Sequence, residues 1–390
     1  MDKIARFVTK REGELVRLVG DLVAARTENP PGNEHLAVPV VKSYLQRYGI
    51  GFRVLEAAPG RANIIATVGT GRPRVLIACH LDVVPAGEHW RTDPFRAVVR
   101  RGRIFGRGAC DNKGPLAAML LAGACLKTLG LLPRSQVILA AVADEERGSA
   151  LGMEWLLRHH KLTADFGIVP DIAAHLREID VAEKGAVFFE VISHGRQAHG
   201  SRPEQGINAI WNMLHFLERL RAAKLPAVRH RFLTPPTLNL GTIQGGSAPN
   251  MVPGLCRVGL DIRYLPGTTS REVKAVIRAA MHASRHETGG RFQFRQIADL
   301  PPTEVPTDAP LVRALAAATK AVIGRAPRPA GMSGATLTKQ LIMHGIPAVG
   351  CGPGDMREAH AANESVPIAE LLAFARILTL TCVTLAKPKE

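Results

Sequence analysis

The stretch RVLIACHLDVVPAG, Arg74–Gly87, decides the fold. Val75, Leu76, Ile77 and Ala78 run apolar without alternation, which is the pattern of a strand covered on both faces. Pro85 and Gly87 end the element. Before they do, His80 and Asp82 appear one residue apart, and strand side chains at i and i+2 share a face. A histidine–aspartate hydrogen bond that seals a strand end accounts for this pair as well as a functional site does. The surrounding sequence has to separate the two.

Working outward, helical periodicity over 12–26 and 34–48 flanks the breaker TENPPGNE, and strand-like runs follow at FRVLE, ANIIATVG and RVLIAC. AVVRRGRIFGRG reads as a hairpin, 113–129 as a long helix, QVILAAVA as a strand and 148–160 as a helix. This alternation predicts an α/β layer with a mostly parallel sheet flanked by helices. After Lys184-Gly185 the order becomes β-α-β-β-α-β, a ferredoxin-like unit. From about Asp299 the α/β pattern returns. The expected organisation is a catalytic domain over 1–184 and 299–390, interrupted by a smaller domain over 185–298.

The 390 residues carry 46% hydrophobic and 22% charged side chains, which is ordinary for a globular protein. Apolar runs such as Leu116–Leu126 are shorter than the roughly 20 residues that span a bilayer. The N-terminal residues mix acids and bases and lack the apolar run of a secretory signal. Six cysteines form no CxxC pair and read as reduced, buried thiols of a cytoplasmic protein. The net charge of +16 comes from scattered arginines without a nucleic-acid motif, and only 5% of residues are aromatic. We read the charge as attraction of anionic substrates rather than of nucleic acid. The densest basic segment, FRAVVRRGRIFGRG, reads as a hairpin with a solvated face.

Further acids and histidines fall at strand ends, where open α/β sheets bind ligands. GRGACDNKG sets Asp111 between glycines before a helix. AVADEERGS ends a strand with Asp144, Glu145 and Glu146. GPGDMREAHAANES places His360 in a loop. Adjacent acids suit a helix N-terminus as well as a cation. Two imidazoles and several carboxylates without a thiolate pattern suit Zn²⁺. The excess of donors suggests two ions sharing a carboxylate, Asp111, with one of the adjacent acids left as general base. Cys79 and Cys110 neighbour these groups and read as packing residues.

With HLDVVPAGEHWRTDPF, GRGACDNKG, ADEERGS, EKG, QAHGSRPEQGINAI, GGSAPNMVPG and GPG…AH…E in this order, the sequence resembles one metallopeptidase/deacylase family. Its members include acetylornithine deacetylase, succinyl-diaminopimelate desuccinylase, aminoacylase and glutamate carboxypeptidase. The resemblance covers nearly the whole chain and implies the zinc-peptidase fold with an inserted lid/dimerisation domain. It implies that His80, Asp111 and Asp171 hold one Zn²⁺ and that Asp111, Glu146 and His360 hold the other, with Co²⁺ or Mn²⁺ as substitutes. It makes Glu145 the general base and Asp82 the residue that orients the His80 ring. It makes His199 an oxyanion donor lent to a partner subunit's site, and Asn250 and Arg263 contacts to a substrate with a free carboxylate.

Two departures stand out. The family's Glu-Pro-Thr segment reads IVPDIAAHLREID here, with proline before Asp171, and Leu337 stands where an acid is common. The implied activity is hydrolysis of an N-acyl amino acid. A dipeptidase or carboxypeptidase of the same family, or a metal-free binding protein on the same scaffold, are the alternatives.

Overall fold

The computed structural model describes residues 2–132 and 134–386. Met1, Pro133 and Lys387–Glu390, inside the expected catalytic ranges, lie outside the described residues. The chain divides into two compact units, 1–181 with 305–330 and 336–390, and 182–304 with 331–335. The smaller unit starts before the boundary expected at 185. It runs past 298 because the strand Arg291–Leu300 stays paired to Gly185–His194 through Leu300.

In the larger unit, four parallel strands form the centre of the sheet in the order Gln136–Val142, Arg74–His80, Phe166–Ala173, Ala348–Gly352. Antiparallel strands extend it on both sides: Arg61–Gly69 and Gly51–Ala58 beyond the first, Glu178–Glu183 beyond the last. Val75–Ala78 are buried, as their unbroken apolar run requires. The helix Lys113–Thr128 is buried on every side from Lys113 to Leu126. The helix expected over 148–160 is confined to Met153–Arg158, because Asp144, Gly148 and Ser149 have left-handed backbones. Ile368–Leu385 is long and apolar enough to cross a bilayer, although polar residues such as Glu370 and Arg376 interrupt its apolar run. It is a core helix: Leu371, Phe374, Ile377, Leu378 and Cys382 are buried.

Proline inside a central strand is unusual because it cannot donate to the ladder. Here Gly350 pairs with Val169 and Gly352 with Ala173, so three residues, Pro170, Asp171 and Ile172, oppose Cys351 alone. That bulge absorbs Pro170 and re-aims Asp171.

The smaller unit is an antiparallel sheet in the order Thr237–Gly245, Leu255–Tyr264, Gly185–His194, Arg291–Leu300, carrying the helices Ala209–Ala222 and Ser270–Thr288. Val187, Phe189, Val191, Met213, Phe216 and Ile277 form its core. Asn208 caps the first helix, and Thr269 with Glu272 makes a capping box on the second. The chain order and sheet order are those of the ferredoxin-like fold.

Candidate functional site

His80 ends its strand buried, 1% exposed. Its Nε2 lies 2.9 Å from Asp111 Oδ1 and 3.6 Å from Asp171 Oδ1. The other Asp111 oxygen lies 3.2 Å from Nε2 of His360, which is itself 3.1 Å from Glu146 Oε1. Asp111 therefore faces one imidazole with each oxygen. Ligand-capable atoms of His80, Glu145 and Asp171 fall within 4.8 Å of one another, as do those of His80, Asp111 and Glu146. Asp171, whose flanking segment departs from the family pattern, is thus brought into the cluster. Glu145 lies among the same groups.

The electrostatics fit a cation. Burial and the charge of Asp111 push the Asp171 carboxyl up to about 7. Burial and Asp171 push Glu145 well above the carboxylate range. Hydrogen bonds to Asp111 and Glu146 raise His360 to about 10. Burial opposes the charged form of His80, yet its bonds to Asp111 and Asp171 raise it as well. Four carboxylates crowd two imidazoles: Asp111, bonded to both rings, is held ionised, while Glu145 and Asp171 are pushed toward their protonated forms for want of positive charge. Nitrogen and oxygen donors in this number suit two divalent ions. Neither of the two ligand groups found among the described residues includes Cys79 or Cys110, and burial raises both thiols.

The backbone around the cluster is held by other carboxylates. The Asp82 side chain accepts the N–H groups of Glu145 and Glu146, each at 3.1 Å, and the Asn29 amide at 2.9 Å. The expectation that this carboxylate orients the His80 ring needs correction. His80 Nδ1 bonds to the Asp82 backbone carbonyl at 2.9 Å, and the nearer carboxylate oxygen is 3.6 Å away. Asp144, the first of the three acids, turns away from the cluster. It accepts from Arg61 at 2.8 Å, and Arg61 also grips the buried Glu34 with both ends of its fork.

Two positions were not singled out by the sequence. Glu364 is fully buried and accepts the N–H groups of Gly108, Cys110 and Asp111 at 2.7–3.0 Å. Arg107 pairs with it at 2.7 Å and reaches the carbonyls of Ala86 and Ala361. Together they fix the loops that deliver Asp111 and His360. Their signal was the arginine of GRG and the glutamate four residues after His360. Gly114 allows the same loop to close, because a Cβ there would lie 2.2 Å from the Ala109 carbonyl oxygen.

In the smaller unit, His199 is exposed and its Nδ1 accepts from the Ser201 N–H at 3.1 Å. That leaves the ring proton on Nε2. Asn250 is its neighbour: its carbonyl accepts from Gly200, where a Cβ would meet Asn250 backbone atoms at 2.8 Å. Arg263 is elsewhere. It is the opposite end of its strand that leads to His199, since Leu255 pairs with His194 and Arg263 with Ala186. Its fork is occupied by Asp261, at 2.8 and 3.0 Å.

The sequence pattern of peptidase family M20/M25/M40 matches residues 76–383, most of the chain and every cluster residue. The chain belongs to this family. The M20 chain is 32% identical over 333 residues to an acetylornithine deacetylase of Myxococcus xanthus, covering 83% of this chain and 84% of that protein. It is 32% identical over 374 residues to a succinyl-diaminopimelate desuccinylase of Gluconacetobacter diazotrophicus, covering 92% and 94%. Its fold matches that of the aminopeptidase PepT from Bacillus cereus with a TM-score of 0.81 at 23% identity, over 96% of this chain and 99% of that one.

Proposed function

We propose that the protein is a dizinc amidohydrolase that removes the acyl group from an N-acyl amino acid with a free carboxylate. The observation that carries this reading is Asp111, whose two oxygens face His80 and His360 separately, as a bridge between two ions requires. His80, Asp111 and Asp171 would hold one ion, and Asp111, Glu146 and His360 the other. The donor set supports zinc, with Co²⁺ or Mn²⁺ as substitutes. Bound there, the two ions would polarise the amide carbonyl and make water a stronger acid near neutral pH.

Glu145 takes a proton from the attacking water as its oxygen joins the acyl carbon. It returns a proton to the amine nitrogen as the C–N bond breaks. His199 donates its Nε2–H to the carbonyl oxygen as that atom gains negative charge. Asn250 contacts the substrate beside it. Arg263 takes the substrate carboxylate by exchanging Asp261 for it, since both ask for the same bidentate fork. The net charge of +16 favours such an anionic substrate.

His199 and Asn250 act in a second copy. Eight residues separate the two ends of the strand pairing, about 26 Å at the usual rise. At that separation one copy does not present Arg263 to the carboxylate and His199 to the carbonyl of the same small substrate. A homodimer through the smaller unit resolves this. Exposed Trp211 and Leu214 on its helix, and Leu240 and Ile243 on its edge strand, support self-association. The six free, buried cysteines support a reducing, cytoplasmic compartment.

The test is a panel of N-acetyl, N-succinyl, N-formyl and dipeptide substrates with Zn²⁺, Co²⁺ and Mn²⁺. Turnover of an N-acyl amino acid above all dipeptides is the expected result. Preference for dipeptides would move the reading to a dipeptidase or carboxypeptidase. Absence of both metal and turnover in the purified protein would move it to a binding protein.

A further inference from the structure

The basic hairpin has no part in that reaction, and we propose that it forms a binding site for a small organic phosphate. The strands Val98–Arg100 and Arg103–Phe105 pair with Val98 opposite Phe105 and Arg100 opposite Arg103. Period two puts these four side chains on one face and buries Ile104 on the other. A cavity of about 330 Å³ lies over that face, walled by Arg91, Thr92 and Asn363, and no carboxylate lines it.

Of the four arginines, Arg103 is engaged with Glu358 at 2.6 Å. Among the described residues, the guanidinium groups of Arg91, Arg100 and Arg101 have no ion pair or hydrogen bond. The wall is ordered without them: Asn363 accepts the Arg91 N–H at 2.8 Å and donates to the His89 carbonyl at 3.2 Å.

The arrangement works against the stability of the hairpin. Like charges stand directly opposite each other at Arg100 and Arg103, which is unfavourable across a strand pair. Arg101 occupies a turn position with φ 50°, where Asn or Gly fits better. An anion over this face would offset the first cost and turn the concentration of charge into binding. Guanidinium forks suit the oxygens of a phosphate, and more so its two negative charges than the one of a carboxylate. Val98 and Phe105 supply an apolar floor for the organic part. The volume is that of a small-molecule site. A concave pocket lined by a single aromatic ring, that of Phe105, lacks the succession of stacking rings that suits a nucleic-acid strand.

The probe is phenyl phosphate, titrated calorimetrically into the metal-loaded protein, with benzoate and duplex DNA as comparisons. Phenyl phosphate should bind the wild type at least about tenfold more tightly than R100A/R101A, one lost charge-assisted hydrogen bond being enough. R91A should weaken it similarly, and in both variants metal content and turnover should stay unchanged. The proposal is overturned if phenyl phosphate does not bind at millimolar concentration, or binds wild type and variants alike. It is also overturned if benzoate binds as tightly, or if duplex DNA binds more tightly through the same arginines.

Discussion

His80 ends one strand and His199 follows another, and the two imidazoles are held in opposite ways. His80 is buried and both of its nitrogens are engaged, Nδ1 by a backbone carbonyl and Nε2 by Asp111. The groups behind it are engaged too, down to the Arg61–Glu34 pair and the Glu364 carboxylate under the Asp111 loop. His199 is exposed, its Nδ1 is fixed by Ser201, and among the described residues its Nε2 has no partner. A ring fixed from every side is arranged before anything binds, and suits a cation with strict geometry. A ring fixed on one nitrogen only has its tautomer set and its proton presented, and suits a group brought to it from outside.

Chelation should divide the two regions most sharply. Removing the ions should abolish turnover and leave four carboxylates facing one another in the larger unit. Ions at a thousand times their dissociation constant contribute about 4 kcal/mol each to the folded state. Hydrogen exchange read after EDTA treatment should speed up at the amides of Asp111, Glu145 and Glu146. It should stay unchanged in Gly185–His194 and Leu255–Tyr264. Equal loosening of both units would remove the distinction drawn between them.

Within the buried cluster, Glu145→Gln should lower turnover by about 10²–10⁴ while both ions stay bound, as expected for loss of a general base. Metal content measured on the same preparation separates this role from ligation, since Glu145 falls within reach of the same atoms as His80 and Asp171. Loss of an ion would make it a ligand, and near-normal turnover would leave the base unassigned.

The parts of this arrangement that were legible in the sequence are those governed by local period. The unbroken apolar run Val75–Ala78 and the His-x-Asp end of its strand follow from alternation alone, and so does the hairpin that carries Arg100 and Arg103. Asp171 was not legible by spacing, because the bulge around Pro170 breaks the period that would have aimed it. Glu364 and Arg107 fall within GPG…AH…E and GRGACDNKG, but they act on each other and on backbone groups distant in sequence, so the motifs mark the residues without announcing their partners. The Asp261–Arg263 pair follows the same i, i+2 rule as His80 and Asp82. Applied there, the rule would have found Arg263's partner.

At the presented end, His199→Ala should lower turnover by about 10²–10³, the usual cost of one oxyanion donor, with metal content unchanged. Mixing it with Glu145→Ala subunits tests the second copy. One site in each heterodimer would then combine an intact Glu145 with the intact His199 of its partner. Activity should reappear on subunit exchange. Verified heterodimers without activity, or a fully active monomer, would sink the shared site.

The smallest effect separates the two things Asp82 does. Its backbone carbonyl holds His80, and its carboxylate holds Glu145 and Glu146. Asp82→Asn keeps the carbonyl, so the His80 ring should keep its bond. The amide has one acceptor oxygen where the carboxylate has two, so one of the two N–H groups must face an NH₂ instead. The segment that carries Glu146 should loosen while His80 stays in place. Metal affinity should fall by about 10–100-fold, as when other supports of metal ligands are removed, and less than in Asp111→Ala, which removes the bridge itself. Competition with a chelator gives both affinities. Asp82→Asn losing more metal than Asp111→Ala would place Asp82 among the ligands and would break the account of His80 as a ring held by backbone.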